Sequence, residues 1–532
     1  APGRQGIQAA IATNFPAAII RMPARLDRPR PACQTVSMDA PATHQSFPAR
    51  LRRLGSQGLI SALCLALSAC GGGGSSGGSA PPVAVAPTPS PTPTPACSLR
   101  DRQLWAEAQI REWYLFPADL PASLDPAGFA TVQAYIDALT ANARSAGKDR
   151  FFTYITSIAE ENAFFASGQT AAFGIRISYD STGRRATVID AFETGPAFAA
   201  GMDRGAELLA IGDTPASLTS VADLFARGGS TAVSDALGPS TAGVARTIQF
   251  RLNGETRTAT ITKTEFNIPP VSDRFGIQVL DDFEGGRVGY VNLRSFISTA
   301  ETPLRTAFAR FRAEGITRVV VDVRYNGGGL VRIADLMGDL MGRNRTASEV
   351  FSFTTFRPSK SAENSTRLFR SAPESIAPTA LAFITTSASA SASELVPNAM
   401  LPYTRGNITL VGANTSGKPV GQIAIDRTAC DDRLRIVAFA TENADRQGDY
   451  YNGLAPVFAA RGGRTCAAND DFSRQMGNRT EASTQRAIAS LSGNNCVAIA
   501  GTADSLSEKS VTRGLLTASA PSAAQREVPG LF

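Results

Sequence analysis

Apolar positions change their spacing three times along the chain. From Ser98 to about Ser167 they recur at intervals of three and four, as in Leu104-WAEAQIREWYLF and Phe129-ATVQAYIDALTANA, a period that predicts helices. Trp105, Trp113, Tyr114 and Phe116 in this stretch read as core rather than as a site. At Phe173-GIRI the pattern becomes strand-like, and from Gly195 to Pro215 it reads as a short helix, a glycine turn and a strand. From Val288 strands and helices alternate. VGYVNLRSFIS is followed by a helix through Thr302–Ala313, whose Pro303 is tolerable in a first turn. Thr317-RVVVDV is apolar enough for a strand buried on both faces. Arg324-YNGGGLVRIADLMGDLM then turns through glycines into an amphipathic helix, completing a βα unit.

Leu381-AFITT is a further strand-like run, which breaks into alternating Ser and Ala and continues as a helix-like segment. Ile408–Val411 is another apolar run, Leu434–Phe439 reads as strand, Tyr451-NGLAPVF follows, and a helix is expected at about Thr480–Leu491. The Ser/Ala-rich residues 501–532 read as a loose tail, ending in apolar Val528-Pro-Gly-Leu-Phe532.

The first hundred residues follow no globular pattern. Arg50, Arg52 and Arg53 precede the nine-residue apolar core Leu59-ISALCLAL, and small residues lead to a cysteine in Leu67-Ser-Ala-Cys70. A basic segment, a short apolar core and small residues describe a signal peptide, and a bilayer span would need about 20 residues. LSAC is similar to the lipobox of bacterial lipoproteins, which implies lipidation at Cys70. Gly71 to Pro95, first Gly/Ser and then Ala/Pro/Thr, cannot bury a core and reads as a tether. Residues 1–37 carry no interpretable pattern, and Met38 reads as a start.

Composition removes several classes of function. The net charge of +6 belongs to the first 69 residues, which hold eight Arg, no Lys and two Asp; the remainder is balanced, so no nucleic-acid partner is implied. The single histidine, His44, lies upstream of the expected cleavage point. The rest of the chain therefore has no Ser-His-Asp triad, no Cys-His pair and no His-ligated zinc. Cys97, Cys430, Cys466 and Cys496 read as two disulfides of an exported protein, with three connectivities open.

A hydrolase without histidine needs another base, and Leu381 to Gln422 offers one. Ser391 sits where a strand-like run turns into a helix, so the helix N-terminus and the Ala392 N–H could receive an oxyanion. Lys418 can deprotonate a serine only when neutral, which requires its pKa to fall from about 10.4 toward about 7–8. Pro419 makes residues 418–422 extended, and residues four apart on a strand share a face, so Gln422 can orient the lysine. Ser387, Ser389 and Ser393 occupy similar contexts to Ser391.

SASASE at 389–394 followed by GK…Q at 417–422 resembles the C-terminal processing (tail-specific) serine peptidases. That resemblance places the nucleophile on Ser391, the base on Lys418 and its helper on Gln422. The Asp-x-Arg-x-Asn-x-Gly-Gly loop at 322–329 implies an oxyanion hole from the N–H groups of Gly328 and Ala392, with Asp322, Arg324 and Asn326 bracing the loop. Phe173 to about Thr264 resembles a PDZ domain, implying peptide contacts at Phe173, Gly174 and Ile175. The expected organisation is an α+β multidomain chain: leader 1–69, tether 70–97, helical cap 98–167, PDZ domain 168–265, α/β crotonase-like spiral catalytic domain 266–500, and tail 501–532.

The activity implied is a lipid-anchored serine endopeptidase of the bacterial cell envelope, on an outer membrane facing the periplasm. It would cleave exported proteins with apolar C-termini and use no metal or organic cofactor. The chain's own apolar terminus is of the kind such a peptidase would bind, so self-recognition is an expectation too. Two rivals differ in kind. A degenerate, lipid-anchored PDZ adaptor would bind tails without turnover. Gly412-ANTSGKP nearly fits a phosphate-binding loop, but Pro419 cannot supply the Mg²⁺ hydroxyl and a strand rather than a helix follows.

Overall fold

A computed structural model describes residues 97–500 and 513–532. The leader, the lipidation candidate Cys70 and nearly all of the tether fall outside the described residues. Among the described residues no helix is long and apolar enough to cross a membrane.

The part that positions the site is a six-stranded sheet. Ile277–Asp281 pairs antiparallel with Arg287–Asn292, after which Arg318–Asp322, Ala380–Thr385, Ile408–Gly412 and Arg464–Ala467 add in parallel. The apolar runs foreseen for Arg287–Asn292, Arg318–Asp322, Ala380–Thr385 and Ile408–Gly412 are explained by burial on both faces, whereas Ile277–Asp281 and Arg464–Ala467 were not foreseen. One face packs on the helices Glu301–Ala313, Val331–Leu340 and Ala392–Met400, and the other on Ala482–Leu491. Arg318–Asp322 and Ala380–Thr385 are neighbours, with Asp322 opposite Ile384, so the loops leaving their carboxyl ends meet. In open parallel sheets that end is where ligands are bound.

An antiparallel five-stranded sheet flanks this layer. Val420–Arg427, Tyr154–Ser157 and Val350–Phe356 all pair with Asp432–Glu442, and Ser365–Leu368 pairs with Val350–Phe356. The expected helical unit 98–167 does contain helices at Leu99–Trp113, Val132–Leu139 and Ile158–Ser167. It is not self-contained, because Ile110, Tyr114 and Ile136 share one core with Leu434, Ile436 and Val437. The Cys97–Cys430 disulfide joins the same two parts, and Cys466–Cys496 is the second bridge.

The middle module is a seven-stranded sheet in the order Arg513–Leu515, Ile175–Asp180, Arg185–Ala191, Glu207–Gly212, Ala245–Leu252 and Glu255–Thr262, with Thr219–Ser220 added to Glu207–Gly212. The helices Pro196–Ala199 and Val221–Leu237 accompany it, and Phe173, Ile175, Val188, Leu208 and Phe250 form its core.

Its first strand in that order corrects an expectation. Residues 501–532 read as a loose tail, yet 513–532 contain a strand and a helix, Ala523–Glu527, and bury Leu516, Val528, Leu531 and Phe532. Ser/Ala composition signals loose chain only where no partner covers the interspersed apolar residues. Here an edge strand formed elsewhere in the sequence supplies one.

Candidate active site

Ser391 precedes the helix Ala392–Met400 with φ 55° and ψ −115°. A non-glycine residue held in that region is strained, and such strain clusters at functional turns. Gly328 lies directly against it. A Cβ on Gly328 would fall 2.8 Å from the Ser391 Cβ, and its φ of +114° also demands glycine.

The other serines of the repeat are engaged differently. Ser389 Oγ donates to the Val323 carbonyl at 2.8 Å and Ser393 Oγ to the Asn326 carbonyl at 2.9 Å, both fully buried. Ser387 is exposed at the end of the preceding strand. The Ala392 N–H opens its helix and so has no acceptor within it. The Gly328 N–H donates to Asn326 Oδ1 at 2.9 Å, so in this state it is already engaged.

Lys418 is half-buried at the entrance to Val420–Arg427. Its Nζ donates to Gln422 Oε1 at 3.0 Å and lies 4.7 Å from the centre of the Phe152 ring. Gln422 Nε2 is in turn held by the Phe152 carbonyl, which fixes the amide with its oxygen toward the lysine. Burial pushes the Lys418 ammonium below the ordinary lysine value, opposed by the carboxylates of Glu527, Asp149 and Glu394.

Glu394 was not singled out in the sequence, although it closes the SASASE motif. Its fully buried carboxylate accepts the N–H groups of Ser391 at 2.9 Å, Gly417 at 2.6 Å and Lys418 at 2.8 Å. One side chain thereby ties the serine turn to the lysine loop, and the Ser416 N–H bond to the Ser389 carbonyl at 2.9 Å adds a second tie. Burial pushes the Glu394 carboxyl up, while these donors hold it down. Arg150, also unforeseen, donates to the Gly417 and Tyr451 carbonyls. Ser391 and Glu394 have the local spacing of a capping box, but Gly417, Lys418 and the partners of Arg150 are remote in the chain.

The loop after Arg318–Asp322 is braced from below. Arg324, 1 % exposed, bonds Asp322 through Nε and grips Glu481 with Nη1 and Nη2 at 3.0 and 2.9 Å. Asn326 Nδ2 donates to the Leu293 carbonyl at 2.8 Å. No group of three or more His, Cys, Asp or Glu among the described residues could hold a metal ion.

The expected peptide-contact residues lie on the edge of the middle module. The N–H groups of Gly174 and Ile175 donate to the Phe532 oxygen at 3.0 and 3.2 Å, and the Ile175 carbonyl accepts the Phe532 N–H at 2.9 Å. The Phe173 ring is buried in the cluster that holds Phe532. Gly174 has φ +81°, and a Cβ there would come within 2.6 Å of the Gly195 Cα, so the turn takes glycine.

Residues 287–447, which contain Ser391, Lys418, Gln422 and the Gly328 loop, match the model of Peptidase family S41. The match covers under a third of the chain, the part that carries the candidate site. Two curated relatives agree with it. The carboxyl-terminal-processing protease of Picosynechococcus sp. is 25% identical over 252 residues, 47% of this chain and 55% of its own length. The chloroplastic C-terminal processing peptidase of Tetradesmus obliquus is 25% identical over 279 residues, 49% of this chain and 54% of its own. The chain thus spans about half the length of these relatives. Among solved structures, a candidate S41 protease of Bacteroides fragilis NCTC 9343 superposes with a TM-score of 0.55 at 20% identity, covering 73% of this chain and 97% of that one. That likeness is one of fold, a mixed α/β arrangement shared with an S41 neighbour.

Proposed function

We propose that the protein is a serine endopeptidase working through a Ser391–Lys418 dyad. The observation that carries the reading is the joint support of the two residues: Glu394 accepts the backbone N–H of both, and Gln422 holds the lysine nitrogen at 3.0 Å. Neutral Lys418 takes the Ser391 proton as Oγ attacks a peptide carbonyl, and later gives it to the leaving amine; water then hydrolyses the acyl-enzyme. The Ala392 N–H, joined by that of Gly328 once it leaves Asn326 Oδ1, faces the oxyanion, each donor being worth about 3–4 kcal/mol. The catalytic region would have the crotonase-like architecture. The middle module would act as a PDZ domain, in which a peptide with an apolar C-terminus pairs along Phe173–Ile175. Lipidation at Cys70, followed by the tether, would anchor the enzyme to a bacterial envelope membrane facing the periplasm, where its substrates are exported proteins.

The test is cleavage of an unfolded protein with an apolar C-terminus by the wild type, Ser391→Ala and Lys418→Ala between about pH 6 and 10. Since burial lowers the lysine pKa, activity should rise with pH through an apparent value below that of free lysine, and both variants should lose it. Turnover that persists in Ser391→Ala would sink the dyad. Tail binding without turnover in any form would point to the adaptor.

A further inference from the structure

One strand edge in this molecule is used twice by the same segment. Arg513–Leu515 pairs antiparallel with Ile175–Asp180, Leu515 opposite Ser178, and the Leu516 N–H continues the ladder to the Ile177 carbonyl at 2.9 Å. The chain then leaves the edge. It returns at Gly530, whose carbonyl accepts the Ile177 N–H at 2.9 Å, and runs out along Ile175 and Gly174 at Phe532. Between departure and return it crosses a cavity of about 1110 Å³. Gly327, Ala388, Ala390, Ser416 and Lys418 line one side of that cavity, and residues 516–521, 525–527 and 529–531 line another.

The crossing is close. A Cβ on Gly327 would meet the Glu527 carbonyl at 2.8 Å, beside the Gly328 that packs on Ser391. The segment is also held by side chains. Val528 and Leu531 are buried with Phe164, Phe192, Ile268 and Ile297, and Phe532 is 1 % exposed in the cluster of Phe173 and Ile175. The Glu527 carboxylate accepts the Tyr154 hydroxyl at 3.2 Å and is the anion that most opposes neutral Lys418.

We propose that residues 513–532 are a resident ligand in cis: they fill the peptide-reading edge and roof the catalytic cavity, so that a substrate tail must displace them before cleavage. The proposal rests on the peptidase reading above and adds its regulation. It also narrows the substrate class, because a competitor must replace the Phe532 ring and the Leu531 side chain. The favoured tails therefore carry large apolar side chains, preferably an aromatic one, at the two positions that take these places. A tethered segment acts at an effective concentration of about 1 mM, so a groove with an intrinsic affinity of about 10 μM would be about 99% self-occupied, and an added peptide would bind about 100-fold more weakly.

The experiment measures anisotropy of a labelled peptide with the sequence of residues 527–532, EVPGLF. It is titrated into the full chain, into the full chain carrying Leu531→Asp and Phe532→Asp, and into a chain lacking 513–532, each checked for a cooperative melt. Affinity should tighten about 10- to 100-fold in both altered chains, and cleavage of an unfolded protein should rise with it. Equal affinity in all three, or no binding by any, would overturn the proposal.

In the unaltered chain, saturating peptide should speed hydrogen exchange at the Leu516 and Phe532 amides; unchanged protection there would also overturn it. Tighter binding with no cleavage in any form would support the resident ligand and sink the peptidase reading. Cleavage that requires Ser391 but is indifferent to the tail would do the reverse.

Discussion

Glu394 carries no reacting atom in the proposed mechanism, yet it ties down the two residues, Ser391 and Lys418, that would react. Three N–H groups converge on its carboxylate from both sides of the dyad, and nothing in the chain between residues 394 and 417 announces the meeting. Replacement by Ala leaves one buried donor, Gly417 N–H, and two part-buried ones without this acceptor, the buried one at about 1–3 kcal/mol and the others at less. Glu394→Ala should therefore lower the melting temperature sharply and reduce kcat by about 10–100-fold, with KM changed less. Glu394→Gln, which keeps one acceptor oxygen, should recover part of both. Thermal melts and steady-state kinetics on the two variants check this, and a fall in stability with kcat intact would show a purely structural role. Ser391 and Lys418 were legible because their chemistry excludes most alternatives in a chain without a usable histidine. The reach of Glu394 to Gly417 and Lys418, and of Arg150 to the Gly417 and Tyr451 carbonyls, was not, since bonds to remote backbone groups leave no local pattern.

The element that bears most on the site is the glycine loop after Arg318–Asp322. Its apolar strand and glycine turn were plain in the sequence, as was a bracing role for Asp322, Arg324 and Asn326. The clasp that completes it, Glu481 at the start of the helix Ala482–Leu491, comes from 157 residues away. Burial raises the Glu481 carboxyl and the Arg324 guanidinium more than offsets it, leaving its pKa at about 2. A carboxyl depressed in the folded state binds fewer protons there than in the unfolded chain, so its contribution is present above the unfolded value of about 4.3 and is lost as pH falls toward 2. Burial pushes the neighbouring Asp322 the other way, so the comparison belongs to Glu481 alone. Between pH 5 and 2 the wild type should lose more stability than Glu481→Gln, measured by denaturant melts, although Glu481→Gln starts lower at neutral pH. Parallel curves would contradict the assignment. At neutral pH Arg324→Met should cost about 3–5 kcal/mol, because two buried carboxylates lose their cation.

At the scale of the whole molecule, the helical cap and the lysine strand stand or fall together. They share one apolar core and are stapled by Cys97–Cys430 across 333 residues of sequence. A bridge closing so long a loop stabilises by about 2–5 kcal/mol. Cys97→Ser with Cys430→Ser should lower stability in that range. It should also loosen the Phe152 carbonyl that holds Gln422, so activity should decline at temperatures below the global melt. Residual activity measured against a melting curve tests this; loss of activity only at the melt would separate the cap from the site. Cys466–Cys496 closes a separation of 30 residues within the sheet layer and its removal should leave the lysine unaffected at moderate temperature.

By itself the sequence determined the kinds of element and the chemistry available. Period and apolar runs set helices and buried strands, glycines marked the sharp turns, and with His44 the single histidine, in the leader, lysine stood out as the candidate base. These are local properties, carried by residues close together in the chain. Only the tertiary structure decided which serine of the repeat is strained and which are tied to carbonyls, which cysteines pair, and what holds Gln422 against the lysine. It also decided the place of residues 513–532, whose composition reads as loose chain. Their few apolar side chains have nowhere to be buried until an edge strand more than 300 residues away exists to receive them.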